Sequence, residues 1–247
     1  MKVLAICITW NRPQLLGRSI HCFLSQTNTD GRLLVLDDAG QYEPQEHERW
    51  ALVSTSTRYP TMGEKRNACI DLALERYPEI DAFMLWDDDD VYFPHAIQCV
   101  SDALDAKCWA QPRHVFEMSK NGKELLKTET WQRHRDPNKT LCYGGCWAWR
   151  MDTFNSLGRF PRTNNGEDIK VAWPCLSKHG PSADSSPNKS PWYYYNRLNN
   201  SISDEGNGFY AIRARQTIEV VDELSIGWNG TDIYNLPVAD KIHPRPW

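Results

Sequence analysis

A short unbroken apolar run followed by a stretch of helical period recurs three times in the first hundred residues, and this recurrence constrains the fold most. Val3–Thr9, Arg32–Asp37 and Ala82–Trp86 are too short for buried helices. They also lack the alternation of a half-exposed strand, so each reads as a strand covered on both faces. Pro13 suits a first helical position, and Leu16, Ile20, Phe23 and Leu24 then fall on one face. Gly63–Tyr77 puts Ile70, Leu74 and Tyr77 on one face before Pro78 stops it, and Pro94 opens a helix carrying Ile97, Val100 and Leu104. Strand–helix–strand units joined by right-handed crossovers build a parallel sheet covered by helices. The expected fold is therefore α/β, a mostly parallel, doubly wound central sheet flanked by helices.

The pattern breaks near residue 107. Lys107–Leu126 reads as short strands with a hairpin around Asn121-Gly122, and 133–140 is rich in turn residues. Gly180–Pro191, rich in Ser, Pro and Asp, reads as a mobile loop, and Trp192–Ser203 as an aromatic segment able to act as a lid. Without an internal repeat or a long linker, residues 1–247 are expected to form one domain, with a regular half (1–106) and an irregular one (107–247). A chain of 247 residues is long enough to bury such a core. No stretch approaches the ~20 apolar residues of a membrane span. The N-terminal run is too short for a signal peptide and lacks a cleavage site. The eight cysteines are scattered and form no zinc pattern, so the expectation is a cytoplasmic protein with reduced thiols and no membrane contact.

Ligands of open parallel sheets bind beyond the carboxyl ends of the strands. Three polar clusters fall there: Thr9-Trp10-Asn11-Arg12, Asp37-Asp38 and Asp87–Asp90. Four consecutive carboxylates repel one another unless a cation or hydrogen bonds offset their charge. An Asp-x-Asp pair at a strand end can hold a divalent cation, Mn²⁺ or Mg²⁺, that also ligates a diphosphate. A solvated acidic turn is the alternative.

These segments resemble the GT-A glycosyltransferases, specifically the inverting, nucleotide-sugar-dependent family 2. The resemblance spans roughly residues 2 to 178. Cys7-Ile-Thr-Trp-Asn-Arg-Pro13 looks like that family's first strand and donor-site entrance, and Leu36-Asp-Asp-Ala-Gly40 like its second. Gly63-Glu-Lys-Arg-Asn-Ala68 is similar to its Arg-Asn helix start, and Trp86-Asp-Asp-Asp-Asp90 to its Asp-x-Asp motif. Gly144-Gly145, Gly158-Arg-Phe160 and Gly166-Glu-Asp168 are similar to the run leading to its catalytic base.

The resemblance implies roles. Thr9 and Trp10 would contact the nucleobase, with Asn11 and Arg12 beside them. Asp38 would accept the N–H of the base, and Arg66 with Lys65 would reach a base carbonyl or the diphosphate. Asp87 would hold the ribose next to Asp88, and Asp89 the metal, with His179 or His243 as a possible further ligand. Asp168 would be the general base, and Glu167, Gly144, Gly145 and Trp147 would line the acceptor side. The donor implied is a nucleotide sugar, a UDP-sugar such as UDP-glucose. No Gln/Arg-x-x-Arg-Trp motif follows Asp168, so transfer is expected to be non-processive. Pro174 interrupts the helix expected after the base.

The charge distribution bears on the acceptor. Residues 1–106 hold 9 Lys and Arg against 17 Asp and Glu, whereas 107–170 hold 12 against 7. Trp109, Phe116, Trp131, Tyr143, Trp147 and Trp149 are interleaved with that basic block. Cations with stacking rings suit a polyanion such as DNA carrying a hydroxymethylated pyrimidine, while an ordinary solvated hairpin and loop is the other reading of the same charges. A soluble or phosphorylated glycan or a lipid-linked acceptor is the alternative. More remote readings are a sugar-nucleotide pyrophosphorylase and a non-catalytic nucleotide- or carbohydrate-binding protein.

Overall fold

The computed structural model describes residues 1–118, 125–129, 141, 144–195 and 218–220, of which 14, 117–118, 125–129 and 218–220 are described by backbone alone. The first part of the chain forms β1 (Val3–Thr9), α1 (Pro13–Leu24), β2 (Arg32–Asp37), β3 (Gln45–Glu46), β4 (Trp50–Ser54), α2 (Met62–Arg76), β5 (Ala82–Leu85), β6 (Val91–Tyr92) and α3 (Ala96–Ala106). There follow β7 (Trp109–Gln111), β8 (His114–Met118), β9 (Leu125–Glu129), β10 (Ala148–Arg150), α4 (Met151–Ser156), α5 (Ile169–His179), β11 (Ala183–Asp184), β12 (Tyr193–Tyr195) and β13 (Ile218–Val220).

An eight-stranded sheet runs β11-β7-β10-β5-β1-β2-β4-β3. Its centre is parallel, with Ile6 of β1 opposite both Leu34 of β2 and Leu85 of β5, and Leu34 opposite Ala51 of β4. The apolar runs are buried, as expected of strands covered on both faces. α2 packs on β1 and β2, and α3 on β7, β10 and β11. β10 enters antiparallel between β5 and β7, so Trp147 O accepts Leu85 N–H at 2.8 Å. That insertion brings Gly144-Gly145 beside the residues that follow β5. A second sheet, β13-β9-β8-β12-β6, contains the expected antiparallel pair β8–β9, while its turn at Asn121-Gly122 lies outside the described residues.

Several expectations are corrected. Residues 41–61 contain β3 and β4, where the sequence pattern suggested no element: Trp50–Ser54 is only five residues long and follows the polar run Glu46–Arg49. The helix expected from Pro94 starts at Ala96. Gly180–Pro191 is not simply a loop, because β11 pairs parallel with β7 and Ser185 and Ser186 are buried. Trp192–Tyr194 is core rather than lid: β12 pairs with β6 and β8, and Trp192 Nε1 donates to Ser185 O at 2.6 Å. Residues 196–203 of that segment lie outside the described residues. α5 continues across Pro174, which lacks the N–H that would bond the Lys170 carbonyl.

The aromatic residues also sort differently. Trp109, Phe116, Trp147 and Trp149 are all buried, which removes them from any stacking surface. Phe83, Trp149, Phe154 and Phe160 instead pack with ring centroids 4.6–6.3 Å apart. Each such pair contributes ~0.5–1.5 kcal/mol beyond area burial. The cluster fastens α4 and the 158–168 segment to β5. Trp131 and Tyr143 lie outside the described residues.

Candidate active site

β1 lies between β2 and β5, so Thr9, Asp37-Asp38 and Asp87–Asp90 emerge side by side at one sheet edge. The acidic turn starts from a rigid base. Trp86 stacks on Tyr92 with centroids 3.7 Å apart, and its Nε1 donates to Ser19 Oγ at 2.8 Å. Tyr92 Oη accepts Asp87 N–H at 2.7 Å and donates to Gly145 O at 2.7 Å, while Tyr193 Oη donates to Asp90 Oδ2.

Cations from two helices meet this turn. Thr9 Oγ1 donates to Asp88 Oδ2 at 2.7 Å. Arg12 Nη1 bridges Asp88 Oδ1 at 3.1 Å and Asp89 Oδ2 at 2.8 Å, and Arg18 Nη2 donates to the Asp89 carbonyl at 2.8 Å. Arg66, buried in α2, donates through Nε to Glu167 Oε1 at 3.0 Å and through Nη2 to Asp87 Oδ1 at 3.1 Å, and its buried Nη1 has no partner among the described residues. One guanidinium thus ties the turn after β5 to the residues that open α5.

The α5 end is carried to the site by α2. Asn67 Nδ2 donates to Phe160 O at 2.8 Å while Phe160 N–H donates to Asn67 Oδ1 at 3.1 Å, and Gly63 N–H donates to Thr163 O at 3.2 Å. A Cβ at Gly63 would lie 1.9 Å from Pro161 O, so only glycine permits this approach. Asp168 then caps α5 by accepting Ile169 N–H on Oδ1 at 2.7 Å. Two more glycines form the floor. A Cβ at Gly144 would sit 1.6 Å from Asp168 Oδ2, and one at Gly145 would sit 2.5 Å from Asp87 Oδ2.

Thr9, Arg12, Arg66, Asp87, Asp88, Asp89, Gly144, Gly145, Glu167 and Asp168 are therefore neighbours. Trp147 is not an acceptor-side surface: it is 1% exposed and meets Trp149 edge-to-face. Asp38 is buried and already occupied, accepting from Lys65 Nζ at 2.6 Å, Arg58 Nη1 at 3.0 Å and Tyr59 N–H at 3.1 Å. Lys65 also donates to Thr9 O at 2.7 Å, so it locks β1 to β2. Trp10 is 56% exposed, with the Arg58 guanidinium 5.5 Å from its ring centre. Asn11, also exposed, has a φ of 51° and donates its N–H to Gln41 Oε1 at 2.6 Å. His179 ends α5, opposite to Asp168, about 16 Å along the axis by helical rise. His243 lies outside the described residues.

Sequence reasoning missed Arg18, Arg58, Tyr92 and Tyr193. Tyr92, two residues past the acidic run, was within reach of a local reading. Arg58 carried no local signal, because its partner is 20 residues away, and Tyr193, read as part of an aromatic lid, has its partner 103 residues away.

Charge in the site is unbalanced. Burial, and then Asp88 and Asp87, push the Asp89 carboxyl up to about 7. Burial and then Glu167 push Asp168 up to about 6 against the pull of Arg66, and burial also raises Asp88. Carboxylates held this high favour added positive charge. Among the described residues no three Asp, Glu, His or Cys side chains form a ready metal cage. A Mg²⁺-type ion uses one or two carboxylates with waters and substrate phosphates, so the residues present fit such an ion.

No protein family matches the sequence, and neither does any curated protein. The structure is similar to S. aureus TarS 1–349 in complex with UDP, with a TM-score of 0.57 and 13% identity over 80% of this chain and 61% of that one. Against S. aureus TarS the TM-score is also 0.57 at 13% identity, covering 80% of this chain and 37% of that one. Against the mannosyltransferase PcManGT from Pyrobaculum calidifontis in complex with GDP-Man and Mn²⁺, the TM-score is 0.55 at 13% identity, covering 81% and 58%. The chain thus spans less than two thirds of the length of each of these proteins. Likeness at this identity establishes the fold, which is of the GT-A, family 2-like glycosyltransferase type.

Proposed function

With a GT-A fold as the premise, we propose that this protein transfers a sugar from a nucleotide sugar to an acceptor hydroxyl, without processivity and with inversion at the anomeric carbon. A UDP-sugar such as UDP-glucose is the donor to test first. One observation carries the reading: across the Gly144-Gly145 floor, Asp168 Oδ2 and Asp87 Oδ2 come so close that a Cβ on either glycine would lie 1.6 Å or 2.5 Å from them. The acidic strand end and a second acidic pair thereby face one small space.

The chemistry follows from these positions. Asp168 Oδ1 is engaged by Ile169 N–H, so Oδ2 takes the proton from the acceptor hydroxyl. The acceptor oxygen bonds to the anomeric carbon as the bond from that carbon to the diphosphate oxygen breaks, releasing the nucleoside diphosphate. A carboxyl poised at about 6 is ionised at neutral pH and still basic enough to accept a proton. Glu167, held by Arg66, fixes the approach of its neighbour Asp168. Asp89, with the adjoining acidic turn, would hold a divalent cation, which supplies charge neutralisation to the departing diphosphate. The exposed face of Trp10, with Arg58 beside it, serves the nucleobase, and Asp87 serves the ribose.

The basic excess of residues 107–170 supports a polyanionic acceptor, with hydroxymethylated pyrimidines in DNA the first choice. Charge alone supports it, since four of the six interleaved rings are core. Lys120, Lys123, Arg133, Arg135 and Lys139 lie outside the described residues, as does the Lys127 side chain. Such DNA should bind at roughly 50 mM salt and weaken steeply by roughly 200 mM. Binding that is unchanged when Arg133 and Arg135 become Ala would remove this acceptor.

The transfer reading is tested by thermal shift over a panel of nucleotide sugars with and without Mn²⁺, followed by release of free nucleoside diphosphate. A pyrophosphorylase would need pyrophosphate, and a binding protein would release nothing. Asp89→Ala should lose the Mn²⁺-dependent part of donor binding, and Asp90→Ala should lose less. Equal metal dependence in wild type and Asp89→Ala places the ion elsewhere.

A further inference from the structure

Among the described residues, two guanidiniums neutralise carboxylate side chains of the acidic turn, and they are held very differently. The Arg66 side chain is 5% exposed and bridges Asp87 to Glu167 from inside α2. The Arg12 side chain is 26% exposed and extends from the residue that precedes the first turn of α1. A single nitrogen, Nη1, contacts both Asp88 Oδ1 and Asp89 Oδ2. Arg66 has no route out, whereas Arg12 borders solvent.

Resting on the transferase reading, we infer that Arg12 is a built-in counter-ion that occupies the cation's place on Asp89 and yields it only as a diphosphate donor arrives. In the unliganded protein the guanidinium satisfies two adjacent carboxylates that burial and mutual repulsion would otherwise disfavour. A divalent ion competing for Asp89 Oδ2 must displace Arg12, so the ion alone binds weakly. A diphosphate supplies the displaced guanidinium with a new partner, because its planar fork matches phosphate oxygens. Ion and donor then bind together, each strengthening the other by the same factor. This ordering keeps the acidic turn from collecting divalent ions while no substrate is present.

The test reads Mn²⁺ binding, not turnover. Mn²⁺ is titrated into wild type, Arg12→Gln and Arg12→Lys by electron paramagnetic resonance, first without nucleotide and then with saturating UDP. Melting curves without metal check that each variant folds. Without nucleotide, Arg12→Gln should bind Mn²⁺ about tenfold or more tightly than wild type, since one positive charge has left contact with the ligand oxygen. Arg12→Lys, which keeps the charge, should stay near wild type. UDP should tighten Mn²⁺ binding by about tenfold or more in wild type, and by much less in Arg12→Gln.

Mn²⁺ binding that is no tighter in Arg12→Gln overturns the inference. So does a wild type in which UDP leaves Mn²⁺ affinity unchanged, a result that needs no variant. The two readings fail separately. A donor panel that releases no nucleoside diphosphate, beside a tightened Arg12→Gln titration and a wild type whose Mn²⁺ binding UDP still tightens, removes the transferase and leaves the counter-ion. A positive panel beside a flat titration does the reverse.

Discussion

Two acidic turns follow buried parallel strands in this protein, and they have opposite fates. After β2, Asp37 accepts from Ala39 N–H at 3.0 Å, Gln41 N–H at 2.7 Å and Ser54 Oγ at 2.8 Å. Asp38 accepts from Lys65, Arg58 and Tyr59 N–H. Every lone pair that matters has a donor, and the turn acts as a clamp joining β2, β4 and α2. After β5, Asp88 and Asp89 share one guanidinium nitrogen, and Asp168 across the glycine floor is capped on only one oxygen. Burial raises all three carboxyls first, with Asp87 adding to Asp88, Asp88 and Asp87 to Asp89, and Glu167 to Asp168. A carboxylate saturated with donors holds structure together, while one that burial and neighbouring acids raise favours an added cation or a proton.

The contrast can be broken by experiment. The largest effect is expected among the raised carboxyls. Asp168→Asn keeps the shape and removes the proton acceptor, so sugar transfer should fall ~10²–10⁴-fold with donor affinity retained. Single-turnover rates beside a donor titration check this, and normal turnover by a folded variant would end the assignment. Next comes the clamp. Asp38→Ala strands the Lys65 ammonium, whose residue is 7% exposed, at a cost of ~3–5 kcal/mol in denaturant unfolding. Asp89→Ala should cost far less by the same measurement. A smaller loss at Asp38 than at Asp89 would invert the comparison.

A third effect lies in the pH profile. Glu167, Arg66 and Asp87 face Asp168, and the net result is a carboxyl at about 6. Transfer needs the ionised form, so kcat/KM should fall about tenfold per pH unit below that value and level off above it. A flat profile between pH 5 and 7, roughly the window around that value, would detach the base from Asp168. The smallest effect is on stability. The folded protein holds the Asp168 proton more tightly than the unfolded chain does. Stability from this group is thus fully present below the usual carboxylate range and is lost as pH rises through about 6. Asp168→Asn should therefore stabilise the protein by ~1–2 kcal/mol at pH 7, with the gain shrinking toward pH 4. Equal stability of the two proteins at both pH values would show that burial does not strain this carboxyl.

Much of this architecture was legible along the chain. Val3–Thr9, Arg32–Asp37 and Ala82–Leu85 form adjacent parallel strands because a short apolar run bounded by polar turns must be buried on both faces, and that is a local property. The same locality placed Thr9, Asp38 and Asp87–Asp90 at one sheet edge. What escaped was everything decided by distant partners. The sequence pattern does not separate Asp38 from Asp89, since each is an aspartate after an apolar strand; only tertiary packing brought three donors to one and a shared arginine nitrogen to the other. Trp147, Trp192 and Tyr193 looked available for ligands because aromatic composition says nothing about exposure, and the antiparallel insertion of β10 and the pairing of β12 with β6 buried them. The Arg66–Glu167 bridge joins residues 101 apart in sequence. Apolar periodicity acts over neighbouring residues and is written in their order, whereas the partner of a buried charge is chosen by whichever distant segment the folded sheet brings within hydrogen-bond reach.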